Sequence, residues 1–286
     1  MVRIKAALHE HLKTSSKIEG LSFNRVVDLA RSRLGAECLF SVVDFDDMRY
    51  KSFISKQGYE REYIGEDRRG VRIFDQVRRL EVACVHGEEV PTKQGHLLVL
   101  GLGYETHLKH GRQFEETIKE ARDYNPNAVI ICDHPFHNSG VGDYLRDHRE
   151  VMGGIDAFEE NGEACFGLPF SPFPLGANRK VREFYREVCS DFPHLGFIRS
   201  QDGHSLYEFC EGWSEIEKPF LLFPELFSSS FRESVQGTSL DTNGKVNQVR
   251  GILGAIDHVR NLAWILKIAP KIGLEHRYEV ERPDNK

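Results

Sequence analysis

Ile4-Lys5-Ala6-Ala7-Leu8-His9-Glu10-His11 is a short apolar run that stops on two histidines one residue apart. Side chains at i and i+2 of a strand share a face, so both imidazoles can converge on one point. The pattern recurs. Residues 128–132 are apolar and lead into Asp133-His134-Pro135, where proline ends the strand. Residues 196–198 are followed by Asp202-Gly203-His204, again two donors with a small residue between them. Glu88-Glu89 and then Gly95-His96 supply a carboxylate and an imidazole around a strand–turn–strand segment. Taken singly, each fits an ordinary turn, a capping aspartate or a solvated acidic pair. Together they put His, Glu, His and Asp at successive strand ends, where βα barrels carry their active sites.

Seven apolar runs read as strands: residues 4–8, 38–43, 82–85, 97–102, 128–132, 155–158 and 196–198. Helical patterns lie between several of them. Ser22 is placed to cap one that carries Val26, Leu29 and Ala30; residues 114–124, 178–189 and 225–236 supply others. Repeated βα units with nearly continuous apolar strands predict a parallel sheet covered by helices. Seven such strands point to a closed or partly closed barrel. Residues 238–244 read as a linker, and an apolar stripe at helical spacing follows it, from Ile252 and Leu253 through Ile256, Val259 and Leu262 to Leu266. It suits a helix packed on the barrel or on a second copy of the chain.

The chain has 286 residues, 38 basic and 44 acidic, for a net charge of −6. A general nucleic-acid binder needs clustered cations, so that class is disfavoured. The six cysteines form no C-x-x-C pair, and four of them, in apolar or helical stretches, read as reduced packing residues. No apolar run reaches the ~20 residues needed to span a bilayer, and the first residues lack a signal-peptide core; a cytoplasmic protein is expected.

These segments resemble the PHP (polymerase and histidinol phosphatase) family. Ala7-Leu8-His9-Glu10-His11 is similar to its opening D-L-H-x-H, and Ser41-Val42-Val43-Asp44-Phe45-Asp46 to its A-I-T-D-H-D. Gly87-Glu88-Glu89-Val90-Pro91-Thr92 with Gly95-His96-Leu97-Leu98 resembles G-I-E-V-S-T followed by G-H-L-L. Asp133-His134-Pro135-Phe136 resembles A-H-P-F, and Ser200-Gln201-Asp202-Gly203-His204-Ser205 resembles G-S-D-A-H-S. The likeness implies a distorted seven-stranded βα barrel over residues 1–238, with an α-rich extension over 239–286 able to mediate oligomer contacts. It implies hydrolysis of a small phosphate ester with two divalent ions, of Mn, Zn or Fe. His9, His11, Glu89 and Asp202 would hold one ion; Glu89 would bridge to a second on His96 and His134, with His107 and His110 as rivals for the place of His96. Asp44 would orient the nucleophile or a ligand, His204 would protonate the leaving group, and Arg179, Lys180 and Arg199 would receive the phosphate. Phe45 stands where the family has a histidine, Ser16 where it has another ligand, and Ala7 where it has aspartate; a third metal site therefore loses two ligands. A binding or scaffold protein on the same barrel is the rival reading, and a nuclease a second. Glu88, on the opposite face of its strand from Glu89, is expected to be silent on substitution.

Overall fold

The computed structural model describes residues 2–12, 21–45, 49–75, 80–137, 139–162, 176–203, 208–219 and 224–246. The 252–266 stripe, Ser16 and His204 lie outside them.

All seven expected strands form: β1 (Arg3–Ala7), β2 (Glu37–Asp44), β5 (Leu80–Pro91), β6 (His96–Leu100), β7 (Val129–Cys132), β8 (Ala157–Asn161) and β9 (Gly196–Ser200). Four more join them, β3 (Glu62–Ile64), β4 (Gly70–Asp75), β10 (Trp213–Glu217) and β11 (Gly244–Lys245). The result is one 11-stranded mixed sheet whose main path runs β11-β10-β1-β2-β5-β6-β7-β8-β9, with the β3–β4 hairpin branching from β5. This corrects the expected parallel, seven-stranded βα barrel. Glu88 and Glu89 do not stand in a turn; β5 carries them on to Pro91 before a four-residue reversal, residues 92–95. Thr92 closes that reversal, its hydroxyl donating to Gly95 O at 2.6 Å. So short a connection leaves no room for a crossover helix, and β5–β6 must pair antiparallel. β6–β7 and β1–β10 are antiparallel as well.

The sheet nearly closes on itself. Beyond β1 and β9 the chain extensions pair in parallel at Glu10 and Gly203: His11 N donates to Gly203 O (3.0 Å) and Gly203 N to His9 O (3.2 Å). Lower down, the Ser214 hydroxyl of β10 links to both backbone groups of Arg199 on β9.

Alternation sorts the side chains into an interior and two outer layers. Inside are Ile4, Ala6, Leu39, Val43, Ala83, Val85, Leu98, Leu100, Val129, Ile131, Ala157 and Ile198, closed below by Phe227, Phe231 and Val235 of α6 (Pro224–Gln236). Outside, Cys38, Phe40, Val42, Val82 and Cys84 pack on α1 (Phe23–Leu34) and α2 (Arg49–Ile54). On the other flank Leu97, Val99, Ile130, Cys132, Phe158 and Phe197 pack on α3 (Phe114–Tyr124), α4 (Gly142–Asp147) and α5 (Ala177–Val188). Ser22 caps α1 as expected, accepting from Arg25 N. The segment expected to be a linker is instead fixed to the barrel, because β11 pairs with β10 and Arg199 holds the carbonyls of Leu240 and Thr242. No helix among the described residues is long and apolar enough to cross a membrane.

Candidate metal centre

Counting by twos from the interior residues leads to one mouth. Val85 is followed inward by Gly87 and Glu89, Leu98 is preceded by His96, Ile131 is followed by Asp133, Ala157 by Glu159, and Ile198 by Ser200 and Asp202. His9 and His11 arrive from the extension of β1, and His134 follows Asp133. Two of these side chains sit on backbone that L residues seldom adopt, His134 at φ 25° and Asp202 at φ 54°. Such conformations persist where surrounding structure enforces them, commonly at functional sites.

Four atoms converge first: His9 Nε2, His11 Nε2, Glu89 Oε2 and Asp202 Oδ1. The two imidazole nitrogens are 3.1 Å apart. His11 stands 3.2 Å from Glu89 and 3.3 Å from Asp202; His9 stands 3.9 and 3.5 Å from the same two oxygens. Ligands about 2.1 Å from a tetrahedral cation stand about 3.4 Å from each other, so these spacings suit a shared ion. The other oxygen of Glu89 faces a second group, with His96 Nδ1 at 2.5 Å and His134 Nε2 at 3.6 Å. Asp133 Oδ2 completes it, 3.0 Å from His134 and 4.0 Å from His96. Both groups are almost entirely buried.

The donor set fits a cation better than it fits an empty polar core. Both carboxylate oxygens of Asp133 are buried without a hydrogen bond from any described residue. Leaving such a group unsatisfied is costly, and metal coordination is one of the few remedies. Burial pushes Asp133 up to about 6, against the pull of His134 and His9. Burial would likewise raise Glu89, but His96, His11 and His134 hold it well below the usual carboxylate range. His11 shows the converse: burial disfavours its charge, yet Asp202 and Glu89 lift it to about 9.

Glu159 belongs to the site in another capacity. It takes His9 Nδ1 at 2.9 Å, His134 N at 3.0 Å, Asn161 Nδ2 at 3.2 Å and the Ser200 hydroxyl. With its lone pairs so occupied it aims His9, leaving Nε2 to face the cluster. Burial would raise its pKa, but His9 draws it down to about 2. Asp133 and Glu159 were missed as site residues in the sequence, although period-two counting from Ile131 and Ala157 reaches both.

The structure brings together His9, His11, Glu89, His96, His134 and Asp202. His107 and His110 turn to Glu88 instead, which leaves His96 with Glu89. Asp44 is a correction. It follows Val42 on the outer face, where it accepts from Tyr50 N at 2.9 Å and lies 3.3 Å from His86, so it cannot orient a nucleophile inside the barrel. Arg199 is another, since it projects outward and is engaged by Glu160 at 3.3 Å and by two backbone carbonyls. Arg179 and Lys180 open α5, whose Asn178 is tied to Asn161 at the end of β8, Nδ2 donating to its carbonyl at 3.0 Å. They stand at the rim of the same mouth, Arg179 mostly exposed and 3.8 Å from Glu183.

Fold and site together define an α/β protein with a nearly closed barrel-like sheet and buried His/Asp/Glu groups that could hold metal ions. No family model and no curated protein matches the chain. Among solved structures it is similar to the crystal structure of PsfC from Pseudomonas syringae PB-5123, with TM-score 0.57 and 14% identity over 92% of this chain and 99% of that one. At that identity the likeness is one of fold alone.

Proposed function

We propose that the protein is a metal-dependent phosphoesterase of the PHP type, built around two divalent ions. The observation that carries this reading is Glu89, whose two oxygens face two separate sets of histidine and carboxylate donors. Around the mouth the strands run β1, β2, β5, β6, β7, β8, β9 and return to β1 through the Glu10–Gly203 bridge, a seven-membered circuit that supports the family assignment. Imidazole and carboxylate donors favour Zn, Mn or Fe over calcium.

Ions bound there would supply an activated water and the positive charge that clamps phosphoryl oxygens during in-line displacement. The chain's own residues do the rest. Glu159 fixes the His9 ring. Burial of the whole cluster keeps the dielectric low, so charge developing on a phosphate is felt strongly. Arg179 and Lys180, anchored at the rim through Asn178, are the cations that would receive the substrate's phosphate. A small phosphorylated substrate fits this arrangement better than a nucleic acid, given the net charge of −6.

One observation favours the rival scaffold reading. Phe45 fills the family's histidine position, its ring 6.1 Å from that of His96, and cannot coordinate. Metal analysis of protein purified without chelators, followed by a panel of phosphate esters with Mn²⁺ and Zn²⁺, separates the two. About two ions at the main centre, with hydrolysis, are expected. Two ions without hydrolysis of any ester would favour the scaffold, and absence of tightly held metal would end the reading.

A further inference from the structure

Glu88 points away from the barrel interior, yet it is completely buried. The chain leaving β6 runs back along this face of β5, held by Gly111 N to Pro91 O and Lys93 N to Arg112 O, each 2.8 Å. It lays two histidines over the glutamate. His107 Nδ1 is 2.9 Å and His110 Nε2 is 3.4 Å from the same oxygen, Glu88 Oε1. The other oxygen accepts from Leu108 N at 2.9 Å, which fixes the carboxylate with Oε1 turned to both rings. One ligand atom from each of the three residues lies within 4.8 Å of the other two.

We propose that Glu88, His107 and His110 form a separate site for a divalent transition cation of the zinc class, on the opposite side of β5 from the main centre. Two imidazoles and one carboxylate are a complete protein ligand set for zinc, with a further position left for water. The alternative is a hydrogen-bonded staple, and His110 argues against it. Its side chain is only 7% exposed, its Nδ1 meets no partner among the described residues, and 3.4 Å is long for a hydrogen bond. The same distance is what two ligands of one tetrahedral ion show, about 3.4 Å. His107 is 42% exposed, so an ion can reach the cluster from solvent. The Phe45 ring lies 6.0 Å from that of His110 and 6.1 Å from that of His96, so it neighbours both sites. An ion here would tether the segment from 101 to 113 beside the mouth.

The test is zinc content per chain after loading with Zn²⁺ and gel filtration, for the wild type, His107→Ala/His110→Ala and His11→Ala/His134→Ala, with near-UV circular dichroism as the check on folding. The first double variant should lose one zinc and the second should keep one. Folded His107→Ala/His110→Ala protein with wild-type zinc content overturns the proposal, as does a folded main-centre variant that retains none. Should the first double variant not fold, His107→Ala alone, at a half-exposed position, should release one zinc to a competing chelator at roughly tenfold lower concentration or less; an unchanged release curve overturns the proposal equally. Failure of the main centre is distinguishable, since His11→Ala/His134→Ala would then lose no zinc while the His107 variants still lost theirs.

Discussion

Glu89 reaches His11 through one oxygen and His96 through the other, while Glu88, one residue earlier, reaches His107, His110 and Leu108 on the far face of the strand. Substituting each by glutamine should therefore separate two kinds of loss. Glu89→Gln should weaken both ions of the main centre by roughly 10- to 100-fold and reduce any phosphoesterase activity with them, with little effect on the melting temperature of metal-free protein. Glu88→Gln should keep the two ions of the main centre, yet destabilise metal-free protein by about 1–3 kcal/mol, because an amide facing Leu108 N and His110 disturbs buried hydrogen bonds of the carboxylate. Zinc content and denaturant melts read the two effects, and equal losses at both positions would contradict this division. The expectation that Glu88 is silent fails for a physical reason: alternation gives the direction of a side chain but not what later chain is laid over it. His9, His11, Glu89, His96, His134 and Asp202 could be gathered from the sequence because each sits beside an apolar run. Glu159 is passed over because the run at 155–158 ends one residue before it, although counting by twos from Ala157 reaches it. Asp44 drew notice through the segment that resembles the family's second motif and Arg199 as a cation near a strand end, and the same alternation places both outside.

At the level of elements, the apolar runs and helical periods revealed the strands that line the interior and the longer helices. Of the strands that escaped them, β4 buries Val71 and Ile73, but β10 and β11 have little apolar content of their own. β10, Trp-Ser-Glu-Ile-Glu, buries only Ser214 and Ile216, and β11 is two residues long. The contact between β1 and β9 depends on Gly203, where a Cβ would run into Glu10 Oε2. Gly203→Ala should therefore push the two extensions apart and draw Asp202 from His9 and His11. Metal affinity should fall by tenfold or more, of the order seen when a ligand's support is lost, while most of the fold survives; unaltered affinity in a folded variant would show that the bridge does not position Asp202. Asp156 does the opposite work at the far end of the barrel. It is fully buried and accepts from Arg122 (2.8 Å), Ile130 N (2.8 Å), Arg232 (2.7 Å) and Gln236 (2.7 Å), tying α3, β7 and α6 together. Asp156→Ala strands two guanidinium groups and should cost about 3–5 kcal/mol in urea unfolding without changing metal content.

For the molecule as a whole, stability and metal binding should be linked through pH. The mouth buries four carboxylates, Glu89, Asp133, Glu159 and Asp202, beside the imidazoles of His9, His11, His96 and His134. In protein stripped of metal, His9, His11 and His134 balance those charges by holding protons. His11 is lifted from 6.5 to about 9, and His9 and His134 are raised too, their carboxylate neighbours outweighing the penalty of burial. A group whose folded pKa lies above its unfolded one stabilises fully below the unfolded value and loses that contribution as pH rises through the folded value. For His11 the window runs from pH 6.5 to about 9, and the loss across it is of the order of 3 kcal/mol. Asp133, raised from 3.8 to about 6, works in the same direction at lower pH, since its ionisation is disfavoured in the fold. Cations reverse the trend, because they bind the deprotonated imidazoles and so gain affinity over the same interval. Melting temperatures measured from pH 6 to 9 should consequently fall in the presence of a chelator and hold or rise with excess Zn²⁺ or Mn²⁺, the two curves parting most widely near pH 9. Parallel curves would mean that the histidines of the mouth titrate no differently with and without metal, and the mouth would then be a hydrogen-bonded polar core and not a metal centre.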